Sequence, residues 1–412
     1  YSWEKYNDEI TSRPYTEIFQ PSLYTLLKMM LVGLPMDSDK VTEVHTILKS
    51  KEKVLLEQIQ ENDYVIEFNN RLQQDTCDKA NSKLKKLVKS IEDFKDVVFN
   101  PSSHSQLGVL LFDNLKLPIL DKTKSGAPAT SADVLKDLEN HTTDLNILDL
   151  LRFVRELADV CKINGTFIKA FLKEKDFLHG NLKLGGTQSG RLSSNSPNLT
   201  NLPAHGGMGK LVKSCIVAPD GWLFAGADFS ALEERIGAIL SNDPNRIKVY
   251  TDGMDGHSMR AYKYFSDQMP DIDPDNVNSI NSIETKYPEL RRKSKGPTFA
   301  LQYMGTAHTL HKRTGFPKDQ AEQIYNAFHE LYKVSEEFNA HNKRVMETNG
   351  YVTCAFGLKL RTPIVSQCVL GNSKTPYEAD KEARSANNAI TQSWGMLLNR
   401  AMNATNRRIE DS

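Results

Sequence analysis

Residues 222–240 read WLFAGADFSALEERIGAIL. The apolar run WLFAGADF reads as a strand that passes directly into a helix, SALEERIGAILSNDP. Ser230 and Glu233 have capping-box spacing, and Leu232, Ile236, Ile239 and Leu240 form the stripe such a helix buries. This places Asp228 at the carboxyl end of a strand, where rigid backbone can hold a carboxylate against a cleft. Hard divalent cations such as Mg²⁺ take oxygen ligands and keep much of their water, so one or two carboxylates plus substrate phosphates suffice. Taken alone, Asp228 reads more simply as a partner of the positive end of the helix dipole.

The chain around this stretch has 412 residues, too many for one compact core, so two or more subdomains are expected. Charged residues make up 25% and apolar residues 39%, as in an ordinary soluble globular protein. Lys plus Arg (52) equals Asp plus Glu (52), so there is no overall basic signal for nucleic acid, although acidic surface elsewhere can balance a basic groove. Cys77, Cys161, Cys215, Cys354 and Cys368 lie far apart without a CxxC pair and read as reduced thiols of a cytosolic protein. No apolar run approaches a membrane span, and the start, YSWEKYNDEI, lacks a signal-peptide pattern. Because it opens on Tyr rather than Met, the sequence reads as a fragment or the ordered part of a longer protein.

Helix patterns dominate the first 165 residues. YTEIFQPSLYTLLKMMLVG is expected to close at Gly33, with Pro35 as the stop. Residues 38–95 are charged with helical period, and Lys79, Lys83, Lys85, Lys86 and Lys89 cluster in them as a solvated face or a phosphate contact. FNPSSHSQLGVLLFDNLKLP is a turn, a capped helix and a Pro stop, and Ser131 is the expected cap of the next helix. Residues 181–221 are rich in Gly, Ser, Asn and Pro with Arg191, Lys210 and Lys213 interspersed, a long loop suited to close approach to phosphates. Residues 265–290 read as an acidic excursion with little core, and NGYVTCAFGLKLRTPIV as a hairpin.

Two further patterns bear on chemistry. In ELRRKSKGPTFALQYMG, Arg291, Lys295, Phe299 and Tyr303 recur every four residues along one helical face. Two cations followed by two rings can hold a triphosphate at one end and stack a base at the other. The plain alternative is an amphipathic helix with solvated cations and core rings, and Gly296-Pro297 argues against helical regularity. In RSANNAITQSWGMLLNRAMNA, Arg384, Asn388 and Gln392 are again four apart, as minor-groove donors or simply as exposed helix surface.

Together and in order, these stretches resemble the polymerase region of family A (polymerase I-like) DNA polymerases, including the phage replicative enzymes. DFSALEERI looks like motif A, RRKSKGPTFALQYMG like motif B on the fingers helix, and TQSGRLSSNSPNLTNLP like the segment contacting template and primer. The resemblance implies an α+β (mixed α/β) right-hand fold with palm, mostly helical thumb and mostly helical fingers. It would divide the chain into the start of the palm (1–37), thumb (38–165), palm with motif A (166–250), fingers with motif B (251–345) and a fingers and palm return (346–412).

The family reaction is attack of a primer 3′-hydroxyl on the α-phosphate of a dNTP, assisted by two Mg²⁺ ions. By resemblance Asp228 and the Phe229 carbonyl bind metal, and Arg291, Lys295 and His257 meet the triphosphate, with Lys295 as proton donor to pyrophosphate. Phe299 packs on the incoming sugar and base, Tyr303 occupies the template stack, and Glu233 is the gate against a ribose 2′-hydroxyl. Arg191, Asn198, Asn201, Arg384, Asn388 and Gln392 touch the primer–template. Three departures stand out: Pro297 inside the fingers helix, YMG in place of the usual YG, and no motif C with its second metal-binding Asp before Ser412. The alternatives are therefore a split polymerase completed by a second chain and a single-subunit RNA polymerase. A DNA-binding remnant without chemistry is a third. A longer stretch before Phe99 could receive a processivity factor, and the expected setting is the cytoplasm of a phage-infected bacterial cell.

Overall fold

The computed structural model describes residues 13–83, 88–123, 125–203, 206–372 and 374–411; Lys85 and Lys86 of the basic cluster lie outside them. Helix α1 (Gln20–Val32) stops at Gly33, whose φ of 76° suits glycine and whose N–H bonds the Met29 carbonyl at 3.0 Å. Beyond it, β1 (Leu34–Pro35) pairs antiparallel with β2 (Phe177–Leu178), tying the start of the chain to its middle.

Asp37 caps α2 (Ser38–Gln60), Asn62 caps α3 (Asp63–Asn81), and Ser131 caps α4 (Ala132–Leu138) by accepting from Val134 N at 3.4 Å. Helix α5 (Leu145–Lys162) completes this part, capped by Asp144. Val44 and Leu48 of α2 interlock with Leu150, Leu151 and Val154 of α5, and Leu110, Leu111 and Phe171 close the core. These helical expectations from the sequence match what is found.

The segment 181–221 is more ordered than its composition suggests. It forms an antiparallel pair, β3 (Asn181–Lys183) with β4 (Ser193–Asn195), and then α6 (Gly206–Ser214). Helix α7 (Leu232–Ser241) packs through Leu240 against a third core, that of Met346 and Val352, whereas α8 (Pro244–Thr251) and α9 (Gly256–Phe265) form a second core with α10 (Pro288–Gln302), α11 (Ala307–Thr314) and α12 (Lys318–Leu331). Its centre is Ala261, Phe265, Leu301, Leu310, Ile324 and Phe328.

Residues 265–290 belong to this core, which corrects the reading of them as an excursion. Met269, Ile272, Ile280 and Ile283 are all buried there. Burying an Ile or Met side chain is worth about 2 kcal/mol, so four such residues outweigh the acidic, proline-rich character that suggested a solvated loop.

Helix α10 also runs through Pro297 without a break. An interior proline costs about 3 kcal/mol, offset here by burial of Pro297, Thr298 and Leu301 on the inner face. The additional residue after Tyr303 is absorbed in the helix cap. Met304 takes φ 62°, its N–H reaches the Leu301 carbonyl at 2.9 Å, and Gly305 N–H reaches the Ala300 carbonyl at 2.9 Å. This is the Schellman closure, with a non-glycine residue in the left-handed position.

Helix α13 (Lys333–Asn349), the hairpin β5 (Tyr351–Thr353) and β6 (Lys359–Arg361), and α14 (Tyr377–Gln392) build a third core around Met346, Val352, Ala386 and Ala389. A 3₁₀ turn, Ser393–Gly395, separates α14 from α15 (Met396–Glu410), so the expected single helix is two. Helix α15 returns to α1, where the buried Asn403 amide donates to Ser22 Oγ at 3.0 Å and Lys28 pairs with Glu410. Across the molecule, His141 Nε2 lies 2.8 Å from the Lys312 carbonyl and Asn140 Nδ2 donates to the Arg313 carbonyl at 3.2 Å, joining the first core to the end of α11.

A Cβ at Gly305 would lie 2.7 Å from the Ala300 carbonyl oxygen, which is backbone and cannot swing aside. Gly305→Ala is therefore expected to lower the unfolding free energy by about 2 kcal/mol. A denaturant midpoint indistinguishable from that of the parent would show that the cap of α10 is not closed in this way.

Candidate active site

Asp228 lies on residues 222–229, which lead into α7 without regular secondary structure and form no ladder with any strand among the described residues. The expected strand WLFAGADF is thus not realised: Leu223 is 93% exposed, Trp222 73% and Phe224 56%. A strand exists only through hydrogen-bonded neighbours, and none of the described segments supplies them. The expected capping box is absent as well. Ala231 takes the N-cap of α7 with φ 49° and no side-chain bond, and Arg235 Nε instead donates back to the Ser230 carbonyl at 3.0 Å.

Asp228 and Phe229 open onto a cleft lined also by Arg191, Thr200, Glu233, Glu234 and Gln392. Arg191 is held there by close packing: its Cγ would sit 3.1 Å from a Cβ at Gly395, in the turn between α14 and α15. Asn198 is occupied internally, accepting from Ser194 Oγ at 3.1 Å and Thr200 Oγ1 at 3.0 Å, while Asn201 is exposed. Those two bonds make Asn198 a brace of the turn that carries Thr200.

Glu233 and Glu234 also wall a second cleft, of about 450 Å³, whose other side carries His257, Lys295, Phe299, Gln302 and Tyr303, with Asn388 from α14 beneath. The structure thus brings together most residues singled out in the two helical patterns. Phe299 and Tyr303 stack edge-to-face with ring centroids 5.1 Å apart, and Phe299 is 65% exposed to the cleft. Burial raises the Tyr303 pKa, with the Glu233 charge adding to it. Arg384 lines neither cleft.

Beside the exposed Lys295, His257 Nδ1 is buried without a hydrogen-bond partner. Burial and then the Arg260 charge lower its pKa, despite Asp255 nearby, so the imidazole is neutral near pH 7. A buried orphan nitrogen next to an ammonium suits a phosphate oxygen.

Arg291 is placed differently from its neighbours on α10. Its Nε bonds Asp255 Oδ2 at 2.7 Å, its Nη2 lies 3.4 Å from Glu284 Oε1, and it does not line the nucleotide-sized cleft. Asp255 was not among the residues the sequence singled out, although the Asp two residues before His257 carried the signal of a helix cap. It caps α9, accepting from His257 N at 3.1 Å and Ser258 N at 3.2 Å, and takes the Ser258 hydroxyl at 2.6 Å. Burial pushes its pKa up, but the Arg291 guanidinium and these donors outweigh that and hold it at about 2.

The residues near Asp228 fit only part of a two-cation site. Asp228, the Phe229 carbonyl and Glu233 offer oxygen, the ligand type Mg²⁺ takes. Yet no group of three or more acidic, His or Cys side chains that could hold an ion occurs among the described residues. The five cysteines are free, and burial raises the thiols of Cys215 and Cys354 to about 11. No described helix is long and apolar enough to cross a membrane.

An exposed acidic residue ahead of a short helix lies near a helix that carries a cation and two rings and a second helix that carries a half-buried histidine, within a right-hand architecture. The chain belongs to DNA polymerase family A, whose family model matches residues 70–412. It is 32% identical over 271 residues to the thermostable DNA polymerase I of Thermus thermophilus, covering 64% of this chain and 30% of that protein. It is 29% identical over 277 residues to DNA polymerase I of Bacillus subtilis, covering 66% of this chain and 29% of that one. The chain therefore spans about three tenths of the length of these curated relatives. In fold it matches the solved POL domain of Pol1 from M. smegmatis in complex with DNA primer-template and dNTP. That match has a TM-score of 0.74 at 23% identity, covering 98% of this chain and 62% of the other.

The Asp255 cap and ion pair yield a pH-dependent prediction. With a folded pKa of about 2 against an unfolded value near about 3.9, ionised Asp255 stabilises the fold above about pH 4. That contribution is lost as the pH falls toward about 2. Asp255→Ala is expected to destabilise by about 2 kcal/mol at pH 7, with the difference from the parent narrowing below about pH 4. Urea midpoints at pH 7 and pH 3 test this; a difference that does not change with pH would contradict it.

Proposed function

We propose that this chain carries out template-directed DNA synthesis, joining dNTPs to a primer 3′-hydroxyl. One observation carries the reading: the Asp228 cleft and the cleft of Lys295, His257, Phe299 and Tyr303 are adjacent and share Glu233 and Glu234 as their common wall. Family membership and a structural neighbour titled as a complex with primer-template and dNTP support it. In this reading residues 1–37, 166–250 and part of 346–412 form the palm, 38–165 the thumb, and 251–345 with the rest of 346–412 the fingers.

Each residue then has a physical task. Lys295 offers its ammonium to the triphosphate and stands ready to give a proton to the leaving pyrophosphate oxygen, as an exposed cation on a rigid helix can. His257, neutral and with an unpartnered Nδ1, contributes a hydrogen bond to the same group without adding a second full charge. Phe299 packs on the incoming sugar and base, and Tyr303 lies where the template base would stack. Glu233 blocks the space a ribose 2′-hydroxyl needs, which argues against RNA synthesis. Arg191, Asn201, Asn388 and Gln392 face the duplex, and Asn198 and Arg384 would support it less directly.

Asp228 and the Phe229 carbonyl would hold Mg²⁺. When bound, such ions would supply Lewis-acid stabilisation of the attacking hydroxyl and of the leaving-group charge. Arg291, tied to Asp255, would brace α10 and meet the triphosphate only by exchanging that partner.

A second reading is that another polypeptide completes the palm and provides the second carboxylate. It is favoured by the exposed apolar run at Trp222, Leu223 and Phe224, a segment of strand composition with no partner strand among the described residues. The phage replicative type, a processivity factor and a cytoplasmic setting remain parts of the proposal.

Primer extension by the chain alone with Mg²⁺ separates these readings. Robust synthesis would exclude dependence on a second chain, and no synthesis with intact primer–template binding would favour it. Where synthesis is seen, Asp228→Ala is expected to lower kcat by about a thousandfold or more while primer–template affinity stays within about threefold. Glu233→Gly is expected to raise rNTP incorporation relative to dNTP by about a hundredfold. Unchanged synthesis in the Asp228 variant would refute the assignment of the metal-binding carboxylate.

A further inference from the structure

Glu234 follows the gate residue on α7, yet the roles assigned above leave it unused. Its carboxylate is the meeting point of three elements. Gln302 Nε2, at the end of α10, donates to Oε1 at 2.6 Å. The Tyr250 hydroxyl, from α8, donates to Oε2 at 3.2 Å. Arg260 Nη1, from α9, lies 3.8 Å from Oε1, and that arginine is 4% exposed with an Nε that has no partner. Burial opposes ionisation of Glu234, but Arg260, Gln302 and Arg246 outweigh it and lower its pKa.

The placement of Gln302 gives the cluster its consequence. It directly precedes Tyr303, which stacks on Phe299 one turn back, while Glu234 directly follows Glu233. The Glu234–Gln302 bond therefore spans the cleft between the gate and the ring pair. Helix α7 has no side-chain cap, and the backbone cap of α10 closes on itself, with Asn387 Nδ2 of α14 reaching Met304 Sδ at 3.5 Å.

We propose that Glu234 is a positioning residue of the nucleotide pocket, holding Gln302 and thereby the Phe299–Tyr303 end of α10 at a set distance from Glu233. The width of that gap decides how closely the sugar of an incoming nucleotide is gripped. This inference rests on the polymerase reading above and deepens it. A charged acceptor bonded to an amide is stronger than a neutral pair and prefers a short, directed geometry, so it fixes spacing better than apolar contact. The buried Arg260 guanidinium, 3.8 Å from the carboxylate, backs it and helps to aim it.

The test compares Glu234→Gln, Gln302→Leu and the double variant with the parent, using the full chain, a primer–template, dNTPs and rNTPs. Each single variant is expected to raise the KM for dNTP about tenfold and to lower the preference for dNTP over rNTP. Primer–template Kd, read by fluorescence anisotropy, should stay within about threefold of the parent. The double variant should be no worse than the poorer single one, because both remove the same bond. Should Glu234→Gln fail to fold, Gln302→Leu carries the test, since it leaves the Glu234–Arg260 pair in place. Where the parent binds dNTP without extending the primer, dNTP Kd replaces KM in the same comparison. Variants that match the parent in KM and sugar preference, or whose effects simply add, would overturn the role of Glu234 alone. A parent that neither extends a primer nor binds dNTP would overturn the polymerase reading itself.

Discussion

The fully buried carboxylate of Asp243 fixes how the site's elements meet. It lies in the turn between α7 and α8, and one oxygen accepts the N–H groups of Asn245 and Arg246 at 3.0 and 3.3 Å. The other accepts the N–H and hydroxyl of Ser335 on α13, each at 3.0 Å. A buried charge without such partners would cost several kcal/mol, so the four donors are needed together. The arrangement extends through Arg246, which donates to Ser335 Oγ at 2.8 Å and packs over the Tyr332 ring, and through Asn245, which donates to the Leu331 carbonyl at 2.7 Å. The end of α7, the start of α8 and the junction of α12 with α13 are thereby locked to one another. Because α7 carries Glu233 and Glu234, the wall shared by both clefts inherits that rigidity.

Helices were legible in the sequence because their signals are local. Gly33 and Ser131 mark ends that the structure reproduces, but the stripe expected on α7 is only partly buried: Ile239 is 69% exposed, and Ala238 and Ser241 are buried instead. The ring and cation spacing of Lys295, Phe299 and Tyr303 carried through to one cleft, Pro297 notwithstanding. What failed depends on partners distant in the chain. The run WLFAGADF has strand composition, but pairing is decided by what lies beside it. The acidic and proline-rich residues 265–290 hide four side chains whose burial only the surrounding helices create. Arg291 shows the same limit: its place on the face of α10 was readable, but its engagement with Asp255, 36 residues earlier, was not.

Charge is divided across the second cleft in a way the neutral composition conceals. The α7 wall carries Glu233 and the ionised Glu234, with Asp228 just beyond. The opposing wall carries Lys295, with His257 kept neutral by burial and by neighbouring cations. A triphosphate entering such a cleft is drawn toward α10 and repelled by α7, whereas a divalent cation is drawn the other way. A metal-bound nucleotide satisfies both walls at once, and neither ligand alone does so. Under the proposed function, nucleotide affinity would depend on the cation through this charge placement.

The same division explains why the histidine is better neutral than charged. A cation at His257 would stand beside Lys295, Arg260 and Arg291, and each would raise the cost of the others in a partly buried site. Asp255 favours the charged imidazole but is shared with Arg291 and the cap of α9, and burial with the three neighbouring cations outweighs it. Burial therefore selects the neutral ring, whose unpartnered nitrogen still needs a hydrogen bond.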